Sequence, residues 1–194
     1  RDLVRSRGLG DVYKRQEYSY EEVSSYLGYS VKDMWNRFMP DLPQSEKDTC
    51  SKIIGDSMME LINKEKSVLY SGAEEVLQNL KECGHNLIFL SNCMHDYMEA
   101  HRKVHCLDRF YCDFYCTEDF DFKSKPEIFT SIAKKHIGDF IIIGDRYLDI
   151  ETAWKHNLKS IGCTYGYCEP HELDKADITV SEISEIPKAV EKLL

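Results

Sequence analysis

The pattern of apolar and polar positions changes along the chain near Tyr70. Before that point apolar residues recur at helical spacing and predict three helices, over 20–27, 31–39 and 45–66. The third predicted helix has one apolar face, which consists of Ile53, Ile54, Met58, Leu61 and Ile62. We expect this helical region to bury that face against another part of the molecule.

After Tyr70 the pattern alternates between amphipathic helices and short apolar runs. Ser71 is predicted to cap the first of these helices and Gly84 to end it. Strands are predicted over 86–90, 111–116, 140–143, 160–164 and 178–180. Apolar strands that alternate with amphipathic helices are typical of an α/β fold, in which helices cover both faces of a parallel sheet. Ligands of such folds bind beyond the carboxyl ends of the strands.

Composition narrows the class of protein. The 194 residues are 42% hydrophobic and 30% charged, which fits one globular domain with a small subdomain. No apolar run approaches the roughly 20 residues that a membrane-spanning helix needs. The net charge of −9 argues against nucleic acid and anionic membranes as partners. Eight cysteines in a mid-sized chain without a visible leader predict reduced thiols and a cytoplasmic protein.

The first residues differ from the rest of the chain. Residues 1–16 lack helical or strand periodicity and carry five basic and two acidic residues. We interpret them as a non-native or disordered leader, and a basic tail is the alternative.

Two carboxylates stand four residues apart where a predicted strand meets a helix. Asp145 follows an isoleucine-rich strand, and Asp149 lies on the first turn of the next helix. A pair of carboxylates at such a sheet edge suits a hard cation such as Mg²⁺. For Asp149, a solvated acid that is favoured by the helix dipole is an equally good interpretation.

Polar and basic residues follow two other predicted strands. Ser91 and Asn92 offer a hydroxyl, an amide and backbone N–H groups to an anion, although capping of the next helix is an ordinary role for them. Lys125 stands directly before Pro126 at the start of a helix, where a lone lysine is usually exposed to solvent. Together with Asp145 and Asp149 they predict a phosphate cradle, a cationic clamp and a metal pair at one edge.

Taken in order, these segments resemble motifs II, III and IV of the haloacid dehalogenase superfamily. The segments are Leu90-Ser91-Asn92, Lys125-Pro126 and Gly144-Asp145-x-x-x-Asp149. The closing segments 164–167 and 176–180 resemble the phosphoglycolate-phosphatase-like branch of that superfamily. Residues 70–80 resemble the segment that returns from the helical cap of that branch to its core. The similarity extends from Tyr18 to the C-terminal end.

The resemblance implies a Rossmann-like core over 70–194 and a small α-helical cap over 17–69. It also implies a Mg²⁺-dependent phosphatase that acts on small phosphorylated metabolites through a phospho-aspartyl intermediate. Ser91 and Asn92 would hydrogen-bond the phosphoryl oxygens, and Lys125 would stabilise the nucleophile and the transferring phosphate. Asp145 would ligate Mg²⁺, with Asp149 as the second acidic ligand or an orienting group. The sequence does not indicate an oligomeric state.

One motif of the superfamily is missing from the sequence. An apolar strand that ends in Asp-x-Asp should precede the cap, but none is found before Tyr18. Asp119-Phe120-Asp121 has the bare spacing, yet it follows motif II and is interpreted as the loop before motif III. The missing strand would lie at the centre of the sheet, between the strands that end at Ser91 and at Asp145. We therefore expect an N-terminally truncated chain that is inactive and poorly stable, from an active parent.

Two other classes of function remain open. A catalytically inactive protein could use the same fold to hold a phosphorylated ligand. A zinc-binding module could use a group of histidines and cysteines, which consists of His101, His105, Cys106, Cys112, Cys116, Cys163 and Cys168. Core packing is the better interpretation of Cys112 and Cys116, because both stand in an apolar run. Trp35, Arg37 and Phe38 could face the substrate or pack within the cap.

Overall fold

The computed structural model describes residues 18–64 and 66–194, so the leader predicted over 1–16 lies outside the described residues. The helices are α1 (Tyr20–Ser24), α2 (Val31–Phe38), α3 (Gln44–Asn63), α4 (Ala73–Glu82), α5 (His95–Val104), α6 (Lys125–Lys135), α7 (Tyr147–Lys155) and α8 (Ile186–Leu193). The strands are β1 (Leu87–Ser91), β2 (Tyr111–Cys116), β3 (Ile141–Gly144), β4 (Lys159–Cys163) and β5 (Ile178–Val180). None of the described helices is long and apolar enough to cross a membrane.

All strand pairs in the described residues are parallel, which confirms the predicted fold class. They form two groups: β1 pairs with β2, and β4 lies between β3 and β5. Within the described residues β1 and β3 are not hydrogen-bonded to each other, so the sheet has an open position between them. The missing strand of the haloacid dehalogenase-like pattern is expected at this position.

Helices cover both faces of these strands. Alternate residues of a strand point to opposite faces, and Ile141 packs on the cluster of α4 and α8 while Ile142 packs on that of α6. The first cluster contains the fully buried Ile161 of β4, and the second contains the fully buried Ile128 of α6. The result is the predicted three-layer arrangement, with the carboxyl ends of the strands left clear for a site.

The helical region has its own small core and also contacts the α/β part. Trp35, Met39 and Leu42 form that core, and α3 packs against α5. The predicted apolar face of α3 is correct for Ile62, which is buried, but wrong for Ile53, which is exposed. Ile54, which also belongs to the predicted face, packs against the Trp35 cluster, because the small core meets α3 on that side.

The start of α4 differs from the prediction. The residue that caps this helix is Gly72, not Ser71, and no side chain supplies a capping hydrogen bond. Gly72 has a φ of 83°, a left-handed conformation that glycine adopts without steric cost. At the other end, Gly84 has a φ of 90° and ends the helix as predicted.

Candidate functional site

The elements place all five predicted site residues at the carboxyl ends of β1 and β3 or on the helices next to them. Ser91 is the last residue of β1, and Asn92 follows it. Asp145 directly follows β3, Asp149 lies on the first turn of α7, and Lys125 is the first residue of α6.

Lys125 and Asp149 form a buried ion pair. Lys125 Nζ lies 2.6 Å from Asp149 Oδ1, and each side chain is only 11% exposed. The interpretation of Asp149 as a solvated helix-start acid is therefore wrong. Gly144 makes this position possible, because a Cβ atom there would lie 2.2 Å from Asp149 Cγ. The family-like spacing of Gly144 and Asp149 thus has a steric cause.

The two aspartates differ in how their oxygens are used. The second oxygen of Asp149 accepts a hydrogen bond from the backbone N–H of Arg146 at 3.2 Å, so both of its oxygens are engaged. Asp145 Oδ2 accepts one from the backbone N–H of Tyr167 at 2.7 Å. No other hydrogen bond to Asp145 is formed within the described residues, which leaves its Oδ1 able to contact a cation. This difference favours Asp145 as the metal ligand and Asp149 as the group that orients Lys125.

Ser91 and Asn92 do not cap α5, because that helix begins at His95 with Met94 as its N-cap residue, and the backbone N–H of His95 donates to Glu118 Oε2 at 2.6 Å. Ser91 Oγ accepts a weak hydrogen bond from the backbone N–H of Cys93 at 3.3 Å. Asn92 Nδ2 donates to the backbone oxygen of Gly28 at 2.7 Å. The predicted anion-binding amide is thus already in contact with the loop between α1 and α2.

The thiol of Cys93 is influenced by both Ser91 and Lys125. Burial raises the pKa of Cys93, and the Ser91 hydrogen bond and the positive charge of Lys125 oppose that increase. The charge of Lys125 therefore acts on the Cys93 thiol. A raised pKa keeps the thiol protonated, so that it is a small packing group and not a reactive one.

Arg146, between the two aspartates, joins a distant loop to the candidate site, and sequence reasoning missed this contact. It is 3% exposed, and its Nε lies 2.8 Å from Glu172 Oε1. Its Nη1 donates to the backbone oxygens of Ser25 at 3.1 Å and Leu27 at 2.5 Å. These contacts join the α1–α2 loop to the Asp145–Asp149 segment. The sequence showed only a basic residue between two acids, and nothing local indicated partners more than 100 positions away.

Gly28 lies at the centre of that junction. Its φ of 91° favours glycine, and a Cβ atom there would lie 2.8 Å from Arg146 Cγ. The loop therefore contacts both the Asn92 segment and the Arg146 segment of the site.

The three residues suggested as substrate-facing groups, Trp35, Arg37 and Phe38, make contacts with other side chains of the protein. Trp35 is buried and donates from Nε1 to Ser51 Oγ at 2.5 Å, and Phe38 packs against Tyr18. Both therefore pack within the helical region. Arg37 lies over the ring of Tyr29 at 4.5 Å.

The predicted histidine and cysteine group is not assembled within the described residues. Of its seven members only Cys116 belongs to a group that could hold a metal, and its partners there are His95 and Asp119. Cys112 is exposed, and its thiol donates to the backbone oxygen of Leu87 at 3.2 Å.

A separate cavity of about 650 Å³ opens beside the segment that follows β4. None of the five predicted site residues lines it; its walls include Thr164, Cys168, His171, Asp174 and Asp177.

Comparison with known proteins identifies the family. A family model described as haloacid dehalogenase-like hydrolase matches residues 8–163. A predicted phosphatase of Clostridium acetobutylicum has a similar solved structure, with a TM-score of 0.81, 20% identity, and coverage of 98% of this chain and 90% of that chain. A predicted phosphoglycolate phosphatase of Haemophilus somnus gives a TM-score of 0.80 at 18% identity and covers 97% of this chain and 90% of its own. No curated protein has a significant match. Because the family model covers most of the sequence, the chain belongs to the haloacid dehalogenase-like hydrolases.

Proposed function

We propose that this protein hydrolyses phosphate monoesters of small metabolites by Mg²⁺-dependent phosphoryl transfer through a phospho-aspartyl intermediate. The buried pair of Lys125 and Asp149, next to the partly free carboxylate of Asp145, carries the proposal. Membership of the hydrolase family supports it, as do the neighbours of similar fold that are named phosphatases.

Each residue has a role that its contacts allow. Phosphoryl transfer mainly requires positioning and compensation of charge on the phosphoryl oxygens. Asp149 holds the ammonium of Lys125, whose remaining N–H bonds can point to a phosphate oxygen. Ser91 Oγ accepts from the backbone N–H of Cys93, and its hydroxyl can turn from the Cys93 thiol to donate to a second phosphate oxygen. Asn92 uses one amide hydrogen on Gly28 and keeps the other.

The acidic residues fit a magnesium ion. Mg²⁺ is commonly held by one or two carboxylates together with substrate phosphates and water, and Asp145 offers one carboxylate oxygen at this edge. When bound, the ion would neutralise charge on the phosphoryl group. Asp149, with both oxygens engaged, acts through Lys125.

The attacking carboxylate belongs, in this proposal, to a strand between β1 and β3. The open position in the sheet supports this placement, because a strand there would end beside Ser91 and Asp145. Its aspartate oxygen would form a bond to phosphorus as the ester oxygen leaves, and water would then hydrolyse the acyl phosphate. We propose that the 194-residue chain lacks this group and shows no turnover by itself.

The helical region is proposed to act as the cap that selects the substrate, with residues 17–69 as cap and 70–194 as core. Contacts from Arg146 and Asn92 to residues 25–28 support this division, because they bring the α1–α2 loop to the site.

Phosphate binding tests the proposal directly. We expect calorimetric titration of the 194-residue chain with inorganic phosphate in the presence of Mg²⁺ to show binding. Lys125→Met should weaken it at least about tenfold, because a charged hydrogen bond contributes about 1.5–3 kcal/mol. Lys123→Met is the matched control, since Lys123 is an exposed lysine two positions away.

Loss of Lys125 also leaves the carboxylate of Asp149 buried without its partner, which costs stability. The double variant Lys125→Met/Asp149→Asn removes both charges and should still bind phosphate poorly. Equal affinity for phosphate in all variants would disprove the proposed site. Hydrolysis of p-nitrophenyl phosphate by the 194-residue chain would disprove only the missing nucleophile.

A further inference from the structure

A second group of metal-binding side chains lies at the end of the neighbouring strand. Cys116 is the last residue of β2, Asp119 follows in a 3₁₀ turn over Glu118–Phe120, and His95 begins α5. Their ligand atoms all lie within 4.8 Å of one another. We propose that His95, Cys116 and Asp119 form a binding site for a zinc-class transition-metal ion.

The spacing of the three ligand atoms is close to what a tetrahedral ion requires. His95 Nδ1 lies 2.9 Å from Asp119 Oδ1, Cys116 Sγ lies 3.2 Å from the other oxygen, Asp119 Oδ2, and the ligand atoms of His95 and Cys116 lie within 4.8 Å of each other. Bonds of 2.0–2.3 Å to zinc place two ligand atoms about 3.4 Å apart. The side chains of His95 and Asp119 are 48% and 38% exposed, so both can move the short distance that remains.

Cys116 is the fixed member of the group. Its side chain is fully buried, and its place at the end of β2 is held by the pairing of β2 with β1. Solvent can reach the ion from the side of His95 and Asp119. Three protein ligands and an open side leave a fourth position for water, which is ordinary for zinc.

The chemistry of the ligands decides the class of metal. A thiolate and an imidazole favour zinc and cobalt, whereas Mg²⁺ prefers oxygen ligands. Binding requires the Cys116 thiol to release its proton to the buffer as the bond from sulfur to the metal forms. This site therefore differs in its metal from the one proposed at Asp145.

The new site adjoins the proposed phosphate site but shares none of its residues. Cys116 is the register partner of Ser91 in the β1–β2 pair, and the backbone N–H of Thr117 donates to the backbone oxygen of Ser91 at 3.0 Å. A metal at Cys116 would lie beside the end of β1 without occupying Ser91, Lys125 or Asp145.

Titration of the 194-residue chain with Co²⁺ tests the site, because a cysteine ligand gives cobalt a charge-transfer absorption band. We expect a band that saturates at one Co²⁺ per chain and that Zn²⁺, but not excess Mg²⁺, abolishes. His95→Gln should weaken Co²⁺ binding at least about tenfold, because even the loss of a hydrogen-bond partner of a ligand commonly weakens metal binding by that factor. His171→Gln is the matched control, because His171 also has an aspartate partner at 3.0 Å but does not belong to the proposed metal site.

Cysteine variants identify the sulfur. Cys116→Ser should abolish the band, and Cys112→Ser, an exposed cysteine on the same strand, should not change it. Because Cys116 is buried, the circular dichroism spectrum of Cys116→Ser must match that of the parent, and Asp119→Asn provides a second variant at an exposed position. A missing band, or a band that His95→Gln and Asp119→Asn leave unchanged, would overturn the proposal. Phosphate binding that persists in His95→Gln separates this result from the fate of the proposed function.

Discussion

Single residues of this protein matter most where a glycine lies against a carboxylate. Gly144 leaves room for Asp149, and Gly166 leaves room for Asp145, whose Oδ2 would lie 2.3 Å from a Cβ atom at that position. Either aspartate would have to move if its glycine gained a side chain. The positions of both acids are therefore set by backbone that does not itself take part in the chemistry.

Gly144→Ala tests this dependence. The added methyl group collides with Asp149 Cγ, so we expect the free energy of unfolding to fall by about 1–3 kcal/mol, as for an overpacked site. Phosphate affinity should fall as well, because Asp149 holds Lys125. Urea denaturation and phosphate titration measure the two effects.

Gly55→Ala is the control for that substitution. Gly55 lies within α3, and a Cβ atom there would meet nothing within 4 Å. Alanine should raise the free energy of unfolding by up to about 1 kcal/mol, because it is the better helix former. A Gly144→Ala variant as stable as the parent would show that the carboxylate of Asp149 is not held by this close contact.

The sequence could predict some residues of the proposed sites but not others. Lys125, Asp145 and Asp149 fall within short motifs, and the strand ends bring such motifs to one edge. His95 and Arg146 act through partners on distant segments, such as Asp119 for His95 and the backbone of Ser25 for Arg146. No periodicity or spacing encodes such contacts, because they depend on how the helical region and the loops pack.

At the scale of elements, the end of α6 is joined to β2 through the carboxylate of Asp113. Lys135 Nζ lies 2.5 Å from Asp113 Oδ2, His136 Nε2 lies 3.0 Å from it, and the Tyr115 hydroxyl donates to it at 2.7 Å. Burial by itself raises the pKa of Asp113, but these hydrogen bonds outweigh it and hold the pKa well below the ordinary value of 3.8.

The lowered pKa predicts how stability depends on pH. A carboxyl group whose pKa is lower in the folded state stabilises the protein above its unfolded pKa, here about 3.8, and loses that effect as the pH falls further. Asp113→Asn should therefore lower the free energy of unfolding at neutral pH. We expect a loss of only about 1 kcal/mol, because the ion pair of Asp113 and Lys135 is partly exposed to solvent.

The difference between Asp113→Asn and the parent should shrink as the pH falls below about 3.8, because the unfolded parent binds a proton there that folded Asp113 takes up only at lower pH. Urea denaturation at a series of pH values measures it. A difference that stays constant down to about pH 3 would mean that the ionised form of Asp113 contributes nothing to stability.

Most of these elements could be predicted from the sequence because apolar runs and breaker residues mark them. The strands over 111–116 and 178–180 have the predicted bounds, and other ends differ by a few residues. The errors arise where packing decides. Ile53 follows the helical pattern yet faces solvent, and Gly72, not Ser71, is the N-cap of α4 because the chain turns there with a positive φ.

At the scale of the whole molecule, the open position between β1 and β3 should affect hydrogen exchange. The backbone amides of β4 pair between two neighbours, whereas β1 and β3 each have one neighbour among the described residues. The burial of side chains agrees with this, since most of β4 is buried while Ile143 of β3 is 38% exposed. We expect peptides that cover 87–91 and 141–144 to exchange faster than the peptide that covers 159–163.

Hydrogen-exchange mass spectrometry of the 194-residue chain measures these rates. Equal protection of all three peptides would show that another strand already occupies the position between β1 and β3. Binding of phosphate should slow exchange at the ends of β1 and β3, because the proposed ligand contacts lie there.

The open position also has a consequence for how the protein behaves as its concentration rises. Among the described residues, one edge of β1 and one edge of β3 have no partner strand, and such edges can pair with a strand of another molecule. Self-association of this kind depends on protein concentration, so the fraction of monomer should be higher in dilute than in concentrated samples of the chain. Light scattering over a dilution series would measure that content, and the assays described above belong at the dilute end of the series.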